Sequence, residues 1–258
     1  MEALRLITFP PSADTETARW ILAHHRTLYR EVPQSAVGSA LAAARRLTKI
    51  PILLTTAGKF SGSRQIADHL DAQSPSERRL IPDDAAMAVE INRLWAEYNG
   101  GMVAWIAQWA YFYVFQDRDL TLRMTTFGVP RWQRYLDRRL RPVFVWVMRQ
   151  GLGNRTRSVA VDALGRCHRK FDEVDERMRD GRPYLLGDRF TLADVAFCAC
   201  AGPLMLASDY GGPLPQLVDV PEEMRREVLG FRERAAGRYA LRTYATHYRP
   251  FRTRRSEA

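Results

Sequence analysis

Two serines stand where this chain turns into helical patterns, a place where a side chain can act on an anion. Ser12 follows Phe9-Pro10-Pro11 and opens SADTETARWILAHH, and Ser63 follows Gly62 and opens SRQIADHL. The first turn of a helix has free amides and a partial positive charge, so its mouth suits a carboxylate. A hydroxyl there serves as a plain helix cap or as a donor to a bound anion. Cysteine chemistry is poorly provided for. Cys167, Cys198 and Cys200 form no CxxC pair, and the last two lie in an apolar run. A sparse, odd count fits a reducing compartment rather than a disulfide framework. The cysteine and histidine spacing suits no zinc site, so no metal is expected.

The elements that position these serines are read from period and punctuation. Leu4–Thr8 reads as a strand ended by Pro10-Pro11. Ser12–His25 reads as a helix that Ser12 or Asp14 can cap, with Glu16 in the first turn where the dipole favours an acid. Thr27–Val32 alternates like a second strand, and Ser35–Leu47 is alanine-rich and helical. Ile52–Leu54 with Thr55 is a strand, Ala57-Gly58-Lys59 a turn, Phe60 the start of a return strand and Gly62–Asp71 a helix. The order is βαβ-α-ββα.

Ala72–Asp84 is polar and carries two prolines, and reads as a linker. Beyond it the patterns are helical. Ile91, Leu94, Tyr98, Met102, Trp105, Trp109 and Phe112 share one face, with Gly100-Gly101 placed to kink it. Further helices are predicted at Pro130–Met148, Ser158–Arg179, Thr191–Ala207 and from about Pro221 to Ala236, with a loop at Gly211–Val220. In RFTLADVAF, Thr191 and Asp194 have capping-box spacing, and Phe190 and Val195 are placed as a staple. The expected division is an α+β unit at 1–75, a linker at 76–84, an all-helical bundle at 85–245 and a basic tail at 246–258.

Apolar residues make up 46% of the 258, enough for a sizeable core. The net charge is +10, and all but three of the 39 basic residues are arginine. These arginines are interleaved with acids, and the one compact basic block is the tail RTRRSEA, read as a solvated terminus. Nucleic-acid and membrane partners are therefore not expected. The start, MEALRLITFPPSADTE, has neither the basic nor the apolar region of a secretory signal. The most apolar run, Met102–Phe115, is short of the about 20 residues a membrane span needs.

Three stretches, FPPSADTETARWIL, KIPILLTTAGKFSGSRQIADHL and RPYLLGDRFTLADVAF, come in the order and spacing of the cytosolic glutathione transferases, which this sequence resembles. The resemblance implies a thioredoxin-like N-terminal domain, an all-helical C-terminal domain, a cytoplasmic homodimer and a role in detoxification. It implies glutathione as co-substrate and a hydrophobic electrophile as its partner in conjugation. By resemblance the Ile50–Pro51 bond is cis and the backbone of Ile50 pairs with the cysteinyl part of glutathione; the alternative is a trans proline heading a strand. Ser63 caps its helix and binds the γ-glutamyl carboxylate. Lys49 contacts a glutathione carboxylate or is simply solvated.

Ser12 stands where serine-type members keep the hydroxyl that stabilises the thiolate, with Thr8 and Thr15 the neighbouring substitutes. The first 28 residues hold no tyrosine, and no cysteine precedes Cys167, so tyrosine-type and cysteine-type chemistry are both excluded there. Trp95, Tyr98, Trp105 and Trp109, with Tyr111 and Tyr113 on the same helix, are the expected walls of the electrophile pocket, or else core. One position departs from the family pattern: Gly62 stands where an acid usually precedes Ser63. The competing expectation is a non-catalytic relative with a decayed glutathione site.

Overall fold

The computed structural model describes residues 4–44 and 49–249. Its first part is a four-stranded sheet in the order β2-β1-β3-β4, built from β1 (Leu4–Thr8), β2 (Tyr29–Pro33), β3 (Ile52–Thr55) and β4 (Gly58–Ser61). β1 and β2 run parallel, with Leu4 opposite Tyr29 and Thr8 opposite Pro33, while β3 and β4 run antiparallel to their neighbours. Proline is tolerated at the end of β2 because this strand lies at the sheet edge. β4 begins at Gly58, not Phe60. Gly58 has φ of +139°, a conformation glycine adopts without penalty, so the chain reverses within Thr56-Ala57.

Three helices pack on this sheet: α1 (Ala13–His24), α2 (Ala36–Ala44) and α3 (Gly62–Asp71). The expected end of α2 at Leu47 and the basic tail from Arg252 lie outside the described residues. Thr15 to Ala23 are all buried, since α1 packs against α3 and also against a helix of the second part. Glu16, the first-turn acid, is also fully buried.

The second part is helical. It comprises α4 (Ala85–Ala96), α5 (Val103–Val114), α6 (Arg118–Thr125), α7 (Arg131–Leu152), α8 (Arg157–Arg177), α9 (Leu192–Met205), α10 (Glu222–Glu233) and α11 (Ala235–His247). Gly100-Gly101 lies in a π-helical turn over Glu97–Met102 that joins α4 to α5. One extra residue per turn shifts the phase of the buried face. Ile106 is buried in place of the expected Trp105, which is half-buried. The structure also adds α6 and separates α11 from α10 by Arg234, whose extended backbone breaks the helix near the expected end at Ala236.

α9 is the centre of the core, with nearly every residue buried. The Asp194 carboxylate holds its start: it accepts from Thr191 N at 2.7 Å, Thr191 Oγ1 at 2.8 Å, Leu185 N at 2.7 Å and Tyr239 OH at 2.5 Å. Four donors on one buried carboxylate exceed a capping box. We expect Asp194→Ala to cost about 3 kcal/mol, since the buried donors are left unpaired. Urea unfolding measures it, and a loss near the about 1 kcal/mol of a simple cap would show that the other donors find new partners.

His24 joins the two parts. Its ring lies 5.8 Å from that of Phe190, and its Nε2 is 2.8 Å from the Arg78 carbonyl oxygen. Phe190, expected to staple α9, stacks on His247 at 4.3 Å. Burial pushes the His24 pKa down to about 4. Unfolded, it titrates near 6.5, so between these values the unfolded chain binds a proton that the folded chain does not. Stability therefore falls as pH drops from about 6.5 to about 4, by about 2 kcal/mol for a partly exposed ring. Unfolding at both ends of that window should show this loss in the native chain and not in His24→Gln. Equal losses in the two would assign the effect to other groups.

Candidate functional site

The mouth of α1 is built by Pro10-Pro11 and Ser12. Ser12 has extended backbone, donates its N–H to Phe9 O at 3.1 Å, and its Oγ accepts from Thr15 N at 3.3 Å. It is the N-cap, so Asp14 is free for another task. Buried charge braces this turn. Arg19 bonds Glu16 at 2.9 Å and Glu31 at 2.6 Å, and Glu16 accepts from Gly211 N at 2.9 Å. Burial works against the Arg19 charge, yet Glu31 and Glu16 hold its pKa well above the ordinary value. The loop after α9 comes so close that a Cβ on Gly212 would lie 2.5 Å from Pro10 O. Ser12 thus sits on a turn fixed from two sides.

Ser12 lines a cavity of ≈ 210 Å³ between the two parts of the molecule. Val103, Ile106, Ala110 and Tyr111 of α5 form one wall, and Cys200, Leu214 and Pro215 face them. An apolar cavity of about 150 Å³ suffices for benzene, so this one suits a small, substituted ring. Burial pushes the Cys200 thiol far above its usual pKa, and the neighbouring Asp14 adds to this. Cys200 is therefore a protonated donor to Tyr98 O at 3.4 Å and not a nucleophile. Cys198 is raised likewise, and Cys167 to about 12, both by burial.

The second stretch meets the first where Ser63 bonds Asp14. The Ile50–Pro51 bond is cis, and Pro51 O accepts from Gly62 N at 2.7 Å. Lys49 is exposed, and its carbonyl accepts from Ser61 Oγ at 2.6 Å. Ser63 does not cap α3. Ser61 holds the N-cap position, its side chain turned to Lys49 O and making no capping bond, and Ser63 is the second helical residue, fully buried. Its Oγ donates to Asp14 Oδ1 at 2.5 Å and receives Asn99 Nδ2 at 3.4 Å.

The other oxygen of Asp14, Oδ2, is buried without a hydrogen-bond partner among the described residues. Burial raises the Asp14 pKa, opposed by the Ser63 hydroxyl, the Lys49 ammonium and the Ser63 amide. Gly62 has φ of +81°, where an acidic side chain would be strained, and its missing Cβ would lie 3.9 Å from Asp14 Oδ2. A carboxylate is therefore present beside the α3 N-terminus, but α1 supplies it.

The family can now be stated from comparison. The model described as "Glutathione S-transferase, N-terminal domain" matches residues 6–78, and "Glutathione S-transferase, C-terminal domain" matches residues 155–223. These two spans cover more than half of the chain. The chain belongs to the glutathione S-transferase family.

Solved glutathione S-transferase structures share the architecture. One from Methylobacillus flagellatus KT with GSH bound is 20% identical, with a TM-score of 0.53 over 92% of this chain and 98% of that one. CsGST63524 of Ceriporiopsis subvermispora, in complex with glutathione, is 15% identical, with a TM-score of 0.60 over 95% and 98%. A further solved structure with this architecture, FzlA from C. crescentus, is 18% identical, with a TM-score of 0.54 over 93% of this chain and 92% of that one. At these identities the likeness is one of fold. No match was found among curated proteins.

Of the residues expected at a glutathione S-transferase site, Ser12 lines the cavity, Ser63 is tied to the helix of Ser12 through Asp14, Gly62 is tied to Pro51 of the cis Ile50–Pro51 pair, and the Lys49 carbonyl is held by Ser61. Of the aromatic residues expected there, Tyr111 lines the cavity. Tyr98 and Trp109 are core, 2% and 1% exposed, and Trp95 and Trp105 are half-buried against that core. Beside Tyr111, α5 turns Val103, Ile106 and Ala110 to the cavity in place of its tryptophans. The sequence reading missed Asn99 and saw Asp14 only as an alternative cap. Spacing links neither to Ser63, since both contacts form only when helices pack. Among the described residues no group of three or more histidine, cysteine or acidic side chains is arranged to hold a metal.

Proposed function

We propose that this glutathione S-transferase family member activates a thiol at Ser12 for attack on a small apolar electrophile held in the adjoining cavity. Glutathione is the thiol that the family membership favours, with its cysteinyl backbone along Ile50 and Pro51. The observation that carries the reading is Ser12 itself: a hydroxyl at the N-terminus of a 12-residue helix, opening on an apolar cavity. The helix end and the hydroxyl both favour a sulfur anion over the neutral thiol. The protein supplies proximity and electrostatics, and no covalent enzyme intermediate is needed. In this reading the molecule works as a homodimer in a reducing compartment.

A second reading, a non-catalytic relative, is favoured by one contact: Asp14 already holds the hydroxyl of Ser63. Calorimetric titration of glutathione together with turnover of a small aryl halide separates the two. Binding with turnover supports the enzyme. Binding without turnover of any apolar electrophile supports the module, and no binding at millimolar glutathione removes glutathione as the thiol.

A further inference from the structure

The longest helix among the described residues, α7, has an exposed face that the thiol chemistry does not use. Trp132, Tyr135, Leu140, Val143, Trp146 and Val147 form a solvent-facing apolar stripe at helical spacing, with Trp146 62% and Tyr135 60% exposed. Exposed arginines 131, 134 and 138 flank the stripe on one side, and Arg139 lies within it, its guanidinium 5.4 Å from the Tyr135 ring centroid. The helix has a single acid, Asp137, and this is turned inward: its Oδ1 accepts from Val37 N at 3.2 Å. Gln133 anchors the same inner face, accepting from Ser35 N at 2.8 Å. The outward face is therefore apolar and cationic with no acid of its own.

We infer that α7 is an interfacial helix that docks this protein on an anionic lipid surface. Tryptophan and tyrosine suit the headgroup boundary, having an apolar body and a polar tip. The aliphatic residues Val143 and Val147 reach into the acyl boundary, and the flanking arginines remain with lipid phosphates. A second copy fits this face poorly. It would bring the same cationic helix, with no exposed acid on it to answer the arginines. A nucleic acid would use the arginines but leave the aliphatic centre of the stripe against phosphates. The helix lies on the surface rather than through it: among the described residues no helix is long and apolar enough to cross a membrane. This departs from the expectation of no membrane partner.

The test is co-sedimentation of the full chain with vesicles of phosphatidylcholine alone, or mixed with phosphatidylglycerol in equal parts. The expected result is salt-sensitive binding to the mixed vesicles, stronger by about tenfold or more than to the neutral ones. Arg131→Gln, Arg134→Gln and Arg138→Gln combined should weaken it about a hundredfold. Trp132→Ser with Trp146→Ser should weaken it about tenfold. These side chains are exposed, so circular dichroism and the melting temperature should stay unchanged. No binding to mixed vesicles at low salt overturns the inference. So does binding that both variants retain, or a dimer that the tryptophan variant dissociates, which would make this face a contact between copies.

Discussion

Ser12→Ala is expected to lower kcat/KM for conjugation about tenfold at neutral pH. A free thiol has a pKa of about 8.5 and is a few per cent ionised at pH 7; a site that lowers it by two units supplies about 2.7 kcal/mol of differential stabilisation. In this protein the stabilising groups are the Ser12 hydroxyl and the N-terminus of α1. The Ser12 oxygen accepts from Thr15 N at 3.3 Å, which leaves its hydrogen free to donate to sulfur. Alanine also removes the cap, at about 1 kcal/mol of stability. The two effects separate in the pH–rate profile. Loss of thiolate stabilisation moves the rising limb upward by one to two units, whereas a cap defect lowers the melting temperature and leaves the limb in place. An unmoved limb with full activity would assign the thiolate to other donors.

Asp14→Ala should act in the opposite direction and tighten glutathione by about tenfold or more. Hydrogen bonds to charged groups are worth about 1.5–3 kcal/mol, and Asp14 holds one from Ser63 that an incoming carboxylate would have to take over. Its charge also repels that carboxylate. Asp14→Asn keeps an acceptor for Ser63 without the charge and should fall between the two. The pH dependence follows from the raised Asp14 pKa. Above that pKa the charged competitor is present; as pH falls through it the competitor is neutralised, so native affinity rises while the alanine variant stays flat. Lys49, Ser63 and the protonated Cys200 face Asp14 and remain the same in both proteins. Weaker binding in Asp14→Ala would instead make Asp14 the partner of the γ-glutamyl ammonium, with its unpaired Oδ2 as the contact.

Much of this architecture is local, and local physics writes itself into short stretches of sequence. Proline pairs, a glycine turn and a serine at a helix start gave β1, α1, β3 and α3 nearly to the residue. The Thr191–Asp194 spacing gave the start of α9 because a capping box closes within one turn. Trp105 was expected inside and Ile106 is inside, next to a π turn over Glu97–Met102 that a period count does not see. Arg234 ends α10 by its extended backbone, yet it reads as an ordinary helical residue.

By itself the sequence determined the family, the order of elements and the place of Ser12 at a helix mouth, all set by contacts between near neighbours. Tertiary packing alone decided who holds the N-terminus of α3. Asp14 and Ser63 are 49 residues apart, and only the packing of α1 on α3 brings a carboxylate to the position that Gly62 leaves without one. It also decided that Asp137 turns inward on Val37, 100 residues away, which leaves the outer face of α7 apolar and positive. Both outcomes are long-range hydrogen bonds to a carboxylate, and a one-dimensional pattern of residue types carries no record of them.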